Sequence, residues 1–237
     1  MKRGLLAVLL IGIIVADPAW AAVALTGTAG CQDLASATSH TFSYTVAADA
    51  DALVVGITFI GFPLPVVSSV TYAGAALTFV NGVTENGVSR GEIWRRVAPA
   101  TGANNVVVTF DVTTVLGSAQ QGFKGVDQAT PVSNSAINSG TSGTPTVTVT
   151  SAVGEWTMSQ GQADSVFTGP NQTQLCNSGD FTNTASEEAA GAASVVHSWT
   201  NTSAEWVMVA VSLKAAAGGG VPGGGTTPLR SLLGVGQ

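Results

Sequence analysis

Apolar and polar residues alternate along much of this chain with a period of two, the spacing that puts every second side chain of a β-strand on one face. The clearest first instance is His40 to Ala47, where Phe42, Tyr44 and Val46 alternate with Thr41, Ser43 and Thr45. After the turn Ala48-Asp49-Ala50-Asp51, the run Ala52 to Ile60 (ALVVGITFI) is apolar on both faces, as expected of a central strand covered on both sides. Val66 to Tyr72 and Ala76 to Val80 flank Ala73-Gly74-Ala75 as a hairpin, and Asn81-Gly82 and Asn86-Gly87 mark two further turns.

Gly91 to Val132 reads as strand, turn, strand, loop, strand and closing turn. Glu92 to Val97 stops at Pro99 and turns at Thr101-Gly102; Asn105 to Val112 returns with Val106, Val108 and Phe110 on one face. Gly117 to Val126 makes a third pass, ended by Asp127-Gln128-Ala129-Thr130-Pro131, because proline cannot donate to a continuing ladder. Ser133 to Thr144 is linker-like, rich in Ser, Asn, Gly and Thr. Pro145 to Ser151 alternates threonine with valine, and Glu155 to Gln160 sets Trp156 and Met158 on a common face. Asp164 to Ala193 shows only short apolar segments at Val166-Phe167 and Phe181-Thr182, before a final hairpin of Ala193 to Thr200 and Glu205 to Lys214. Short strands, regular turns and no capped helical pattern predict an all-β fold. The specific expectation is an antiparallel β-sandwich, jelly-roll-like, over residues 39–217, with residues 22–38 as an arm laid over it.

An ordered set of segments carries a resemblance. These are Val70-Thr71-Tyr72-Ala73-Gly74-Ala75-Ala76-Leu77-Thr78, Glu92-Ile93-Trp94, Pro99-Ala100-Thr101-Gly102, Gly125-Val126-Asp127-Gln128-Ala129-Thr130-Pro131 and Trp206 to Lys214 (WVMVAVSLK). In order and spacing they resemble a β-sandwich module of secreted and surface proteins of bacteria, found beside lectin-like or repeat domains. The resemblance spans Ser39 to Ala215 and implies fold and location. The module has no assigned chemistry, so no catalytic residues carry over.

The N-terminus agrees with export. Lys2 and Arg3 precede an apolar run from Gly4 to Ala16, too short to span a bilayer comfortably, and Ala19-Trp20-Ala21 is an A-x-A cleavage site. Residues 1–21 are therefore expected to be a signal peptide, and the protein to be secreted or held at the cell surface. Without Lys2, Arg3 and Asp17 the net charge moves from −6 to −7, with charged residues only 9% of the chain. A negative, charge-poor protein lacks the clustered Lys and Arg that phosphate binding needs, so no nucleic acid partner is expected. In an exported chain the two cysteines, Cys31 and Cys176, predict one disulfide. At the other end, Gly218 to Thr227 (GGGVPGGGTT) is a linker by composition. The apolar peptide Pro228 to Gln237 beyond it is a candidate for self-assembly, and no membrane span is expected after signal cleavage.

Catalytic chemistry lacks partners. His40 and His197 are the only histidines, each within a strand pattern, and no G-x-S-x-G turn presents a serine. Glu92, Asp111, Glu155 and Glu205 are the better acids, with no spacing that pairs two of them. Two cysteines and two distant histidines are too few for a transition-metal site. Asp49, Asp51 and Asp127 have the oxygen chemistry for a structural Ca²⁺ but fall in turns, and no cofactor is predicted.

Binding chemistry rests on large apolar side chains. Trp156 and Trp206 sit among alternating apolar residues and are assigned to the core, whereas Trp94 and Trp199 have polar neighbours and are the surface candidates. The loop Gly61-Phe62-Pro63-Leu64-Pro65 cannot be regular strand yet carries Phe62 and Leu64, so it is expected to be exposed and to touch another molecule. Trp94, Trp199, Phe62 and Leu64 are thus the candidate ligand contacts. The expected function is a secreted, non-catalytic binding or adhesion module whose partner is a glycan or another surface protein. The alternatives are a structural subunit of an extracellular or virion-like assembly and, with little support, a hydrolase on a jelly-roll scaffold.

Overall fold

The computed structural model describes residues 22–202 and 204–217; the expectations for the signal peptide, the linker and the terminal apolar peptide lie outside them. The fold is all-β and every strand pairing is antiparallel. The first half of the chain supplies β1 (Ala24–Val46), β2 (Ala52–Ile60), β3 (Val67–Tyr72), β4 (Ala75–Ala76), β5 (Thr78–Glu85), β6 (Ser89–Val97) and β7 (Gly102–Lys124). The second half supplies β8 (Val132–Gly140), β9 (Thr146–Thr150), β10 (Trp156–Ala163), β11 (Thr173–Ser178), β12 (Asn183–Ala190), β13 (Ser194–Ser198) and β14 (Trp206–Leu213).

The first seven strands form one sheet in the order β4-β3-β7-β2-β6-β5, with β1 also on β7. That sheet curls into a nearly closed barrel. The second sheet, β11-β12-β10-β14-β8, packs against it, and the pair β13-β9 covers the far side of the second sheet. The first half of the chain builds the barrel sheet and the second half the two others, giving an antiparallel β-sandwich.

Burial follows from side-chain alternation. In β2, Leu53, Val55, Ile57 and Phe59 point into the barrel with Phe42, Tyr44, Val106, Val108 and Phe110, while Ala52 and Val54 face the second sheet. β14 repeats the device: Val207, Val209, Val211 and Leu213 face the barrel, and Trp206, Met208 and Ala210 face β9 and β13. Both strands are buried almost throughout, as doubly covered strands should be. Between the sheets Thr58 Oγ1 donates to Thr184 Oγ1 at 2.9 Å, and Gln160 Nε2 donates to the same oxygen at 2.6 Å, so buried polar groups meet each other. At Asn86-Gly87, φ values of 48° and 71° make a tight turn closed by Val88 N–H donating to the Glu85 carbonyl at 3.0 Å, within a three-residue connection between Glu85 and its partner Ser89.

Several expectations need correction, among them the final hairpin and the Asn81-Gly82 turn: β13 pairs with β9 while β14 pairs with β10 and β8, and Asn81 and Gly82 lie within β5. Residues 22–38 are not an arm: Ala24 to Ala37 pair with β7 in the same strand as His40 to Val46. Irregularities between Thr26 and Gly30 and between Leu34 and Ser39 reset which face each residue takes, erasing the alternation. The loop expected between Val112 and Gly117 is strand, because β7 runs unbroken and passes from β3 to β2. The linker-like Ser133 to Thr144 mostly forms β8, an edge strand whose polar residues face solvent. Asp164 to Ala193 contains β11 and β12, whereas Val166-Phe167 and Phe181-Thr182 lie outside named strands.

Cys31 on β1 and Cys176 on β11 are joined, with a Cα separation of 5.2 Å across 145 residues of sequence. Two residues beyond Cys31, the Asp33 carboxylate accepts the backbone N–H groups of Asp180, Phe181 and Thr182 at 2.8, 3.1 and 2.9 Å. Together they tie β1 to the edge of the second sheet.

Two predictions follow from this packing. In the chain-entropy account a loop of this length is worth on the order of 4 kcal/mol, so C31S/C176S should melt roughly 10 °C below the parent. Matched melts, with non-reduced peptide mapping to confirm the crosslink, check this; equal melting would show the crosslink to be idle. At Gly56, a Cβ would lie 2.8 Å from Gln160 Cβ in the tight contact between sheets. Gly56→Ala should therefore cost about 1–3 kcal/mol in urea unfolding, and a neutral result would mean that the sheets yield easily.

Candidate binding groove

The hydrogen-bonded path ends at β4, two residues long, and at β5, so beyond β4 the barrel fails to close between β3 and β5. Only the upper part of this seam is bridged, where Leu77 N–H donates to the Val70 carbonyl at 2.8 Å. The open part is a groove of about 390 Å³, within the range of small-molecule sites. Leu64, Pro65, Val66 and Val67 form one wall, and Phe79, Arg90, Glu92 and Trp94 the other.

Alternation in β6 explains the second wall. Ile93 points into the core between the sheets and Gly91 lies against Val207 and Val209, so Arg90, Glu92 and Trp94 take the opposite face and emerge in the seam. Glu92 is buried and fully engaged: Arg90 Nε donates to its Oε1 at 2.5 Å and Trp94 Nε1 donates to its Oε2 at 2.8 Å. Arg90 Nη1 also donates to Thr84 Oγ1 at 2.9 Å. Phe79 meets Trp94 edge-to-face, with centroids 5.3 Å apart. Glu92 thus fixes a cation and an indole at once. With its N–H committed, Trp94 offers the groove an apolar ring, and Arg90, whose side chain is 30% exposed, remains reachable from solvent.

Of the four expected contacts, the structure brings Trp94 and Leu64 into one groove. Phe62 projects from the loop beside it and is 90% exposed, while Pro65 and the partly buried Leu64 anchor that loop. Trp199 is a correction. It is 1% exposed and packs edge-to-face on Phe167 beneath β9 and β13, so its polar sequence neighbours reflect strand alternation and not a wet site. Trp206 is in the core as expected, and Trp156 is half-buried with its N–H donated to Glu188. Sequence reasoning missed Phe79, Arg90 and Val66. Arg90 and Trp94 share the parity of Glu92 in β6, which was a usable signal; Phe79 and Val66 enter only through the curl of the sheet.

Comparison with known proteins gives no match: no family model, curated protein or solved structure is similar to the chain.

The other candidate groups are spent on structure. Asp111 accepts from Val66 N–H at 2.8 Å, Glu205 from Asn86, and Glu155 Oε2 from Ser133, Ser151 and Ser212. Asp49 accepts from Thr26 and Lys124, Asp51 from Gly125 N–H, and Asp127 from the N–H groups of Ala129 and Thr130. Among the described residues no three His, Cys, Asp or Glu side chains cluster as metal ligands.

Both histidines are buried. His197 lies with Nε2 3.0 Å from Thr157 Oγ1 and Nδ1 3.4 Å from Glu187 Oε2. His40 Nε2 is 2.9 Å from the Thr114 carbonyl oxygen, and burial holds its pKa below the usual value against the opposing effect of that contact. An unfolded chain therefore takes up a proton at His40 as pH falls through about 6.5, while the folded chain resists it, and stability is lost in that window. Burial raises Glu188, whose contribution runs the other way and is lost as pH rises through its folded value. The difference between parent and His40→Gln isolates the histidine. The parent should lose more melting temperature between pH 7 and 5 than the variant, and parallel curves would refute this assignment.

Proposed function

We propose that this protein is an exported, non-catalytic binding module that takes a glycan in the seam between β3 and β5. The observation that carries the reading is the preorganised wall of Trp94, Phe79 and Arg90, held by the buried carboxylate of Glu92 and facing Leu64 and Pro65. A sugar ring has one apolar C–H face and a rim of hydroxyls. An indole ring matches the first, and an arginine with donors to spare matches the second. Because Glu92 fixes both side chains before a ligand arrives, little rotamer freedom is lost on binding. The exposed Phe62 extends the apolar surface outside the groove.

Export is supported by the basic and apolar N-terminal sequence and is compatible with the disulfide. No helix among the described residues is long and apolar enough to cross a membrane. The same surface also suits an apolar loop of another surface protein, and the test separates the two.

Screening on a glycan array, followed by calorimetry, should identify a saccharide that binds the parent. Trp94→Ala should weaken that binding at least about tenfold, consistent with loss of a stacking aromatic, while far-ultraviolet dichroism stays unchanged. Leu64→Ser provides a second lesion in the facing wall. Binding of the saccharide by both variants at parental strength would sink the groove as its site, and an array with no ligand would sink the glycan reading.

A further inference from the structure

With 14 acidic residues and only 8 basic ones in the chain, a lysine or arginine has no shortage of carboxylates to pair with. Among the described residues Lys124 pairs with Asp49, Lys214 with Asp127 and Arg90 with Glu92. The remaining described cations, Arg95 and Arg96, are adjacent on β6, and neither has a carboxylate partner among the described residues. In an acid-rich protein an arginine left without an acid is the informative group.

Strand alternation separates the two arginines. Arg96 shares the face of Arg90, Glu92 and Trp94, which opens into the seam, while Arg95 takes the face of Ile93. Arg96 lies two residues past Trp94, about 7 Å along the strand. Its Nη1 donates to the Ala76 carbonyl at 3.0 Å, in an exposed hydrogen bond. Ala76 precedes Leu77, whose N–H bridges the seam to Val70. The Arg96 guanidinium therefore stands at the closed end of the groove, beyond the indole, and it is partly exposed with its other N–H groups unbonded among the described residues.

The two arginines on the seam face differ in charge balance. Glu92 offsets Arg90, so that pair supplies donors for hydroxyls with little net charge. No other charged residue lines the groove, and nothing there offsets Arg96. A guanidinium offers a planar fork of donors that matches a carboxylate or sulfate oxygen pair, and such charge-assisted bonds are stronger than those to a neutral hydroxyl. We propose that the ligand of the groove is an acidic saccharide, with one ring on Trp94 and its carboxylate or sulfate group on Arg96. This rests on the saccharide reading of the groove and adds to it the charge of the ligand and the residue that selects it.

The test is calorimetry of the parent with galacturonate oligomers and with the same oligomers methyl-esterified, which keep the ring and lose the charge. Sulfated and unsulfated galactan oligomers form a second matched pair and distinguish sulfate from carboxylate as the anion. Within at least one pair the charged member should bind the parent at least about tenfold more tightly, as a charge-assisted hydrogen bond implies. Arg96→Gln should remove most of that preference, weakening the charged member about tenfold and the neutral member far less. Trp94→Ala should weaken both members alike. The comparison within each pair is made on the parent and decides even if Arg96→Gln fails to fold. Equal binding of charged and neutral members by the parent overturns the inference and leaves the saccharide reading of the groove intact. A preference that survives in folded Arg96→Gln does the same. Absence of binding by every member also overturns the inference, and the saccharide reading falls with it only if the glycan array is empty as well.

Discussion

Two strands that are apolar on both faces hold this architecture together. A sheet covered on one side needs only alternating strands, but stacking a barrel, a second sheet and a covering pair of strands requires strands that fill a core above and below. β2 does this for the barrel and β14 for the second sheet. Each apolar side chain fully buried is worth roughly 1.5–3 kcal/mol, and these two strands supply much of that burial to three cores. A polar side chain inside either strand would face protein on whichever side it took. Thr58 is the exception in β2, and it is met from the opposite sheet by Thr184.

The same constraint decides how much of the fold was legible. ALVVGITFI and WVMVAVSL announce themselves because double burial leaves no polar parity, and strands with one wet face, such as His40 to Val46, announce themselves by alternation. β12 (NTASEEAA) did neither. Its Thr184, Ser186, Glu187 and Glu188 are buried although polar, because neighbouring strands carry the complementary groups: Gln160 donates to Thr184, and Trp156 to Glu188. Buried polarity of this kind is a property of pairs distant in sequence, so no local window contains it. Irregular register hid the first part of β1 in a different way, by breaking the parity on which pattern reading depends.

The candidate site divides along the same line. Trp94 and Leu64 could be selected as large apolar residues in polar or irregular surroundings, but the same criterion selected Trp199, which is buried. The difference is not local. Ser198 and Thr200 flank Trp199 because a strand or its extension alternates, and what covers the indole is Phe167 from a distant segment. Trp94 also alternates with its neighbours, but its face of β6 meets the one place where the barrel has no strand to offer. What separates a core tryptophan from one that lines a groove here is the closure of a sheet.

The groove therefore has its origin in the way a sheet ends. A β-structure satisfies itself by pairing strands and interdigitating faces, and its unfilled valences remain where that process stops. In the barrel it stops at the seam between β3 and β5, leaving apolar rings and an oriented arginine. What is left there is mainly a deficit of apolar contact, since the Glu92 carboxylate already takes the Arg90 and Trp94 N–H groups.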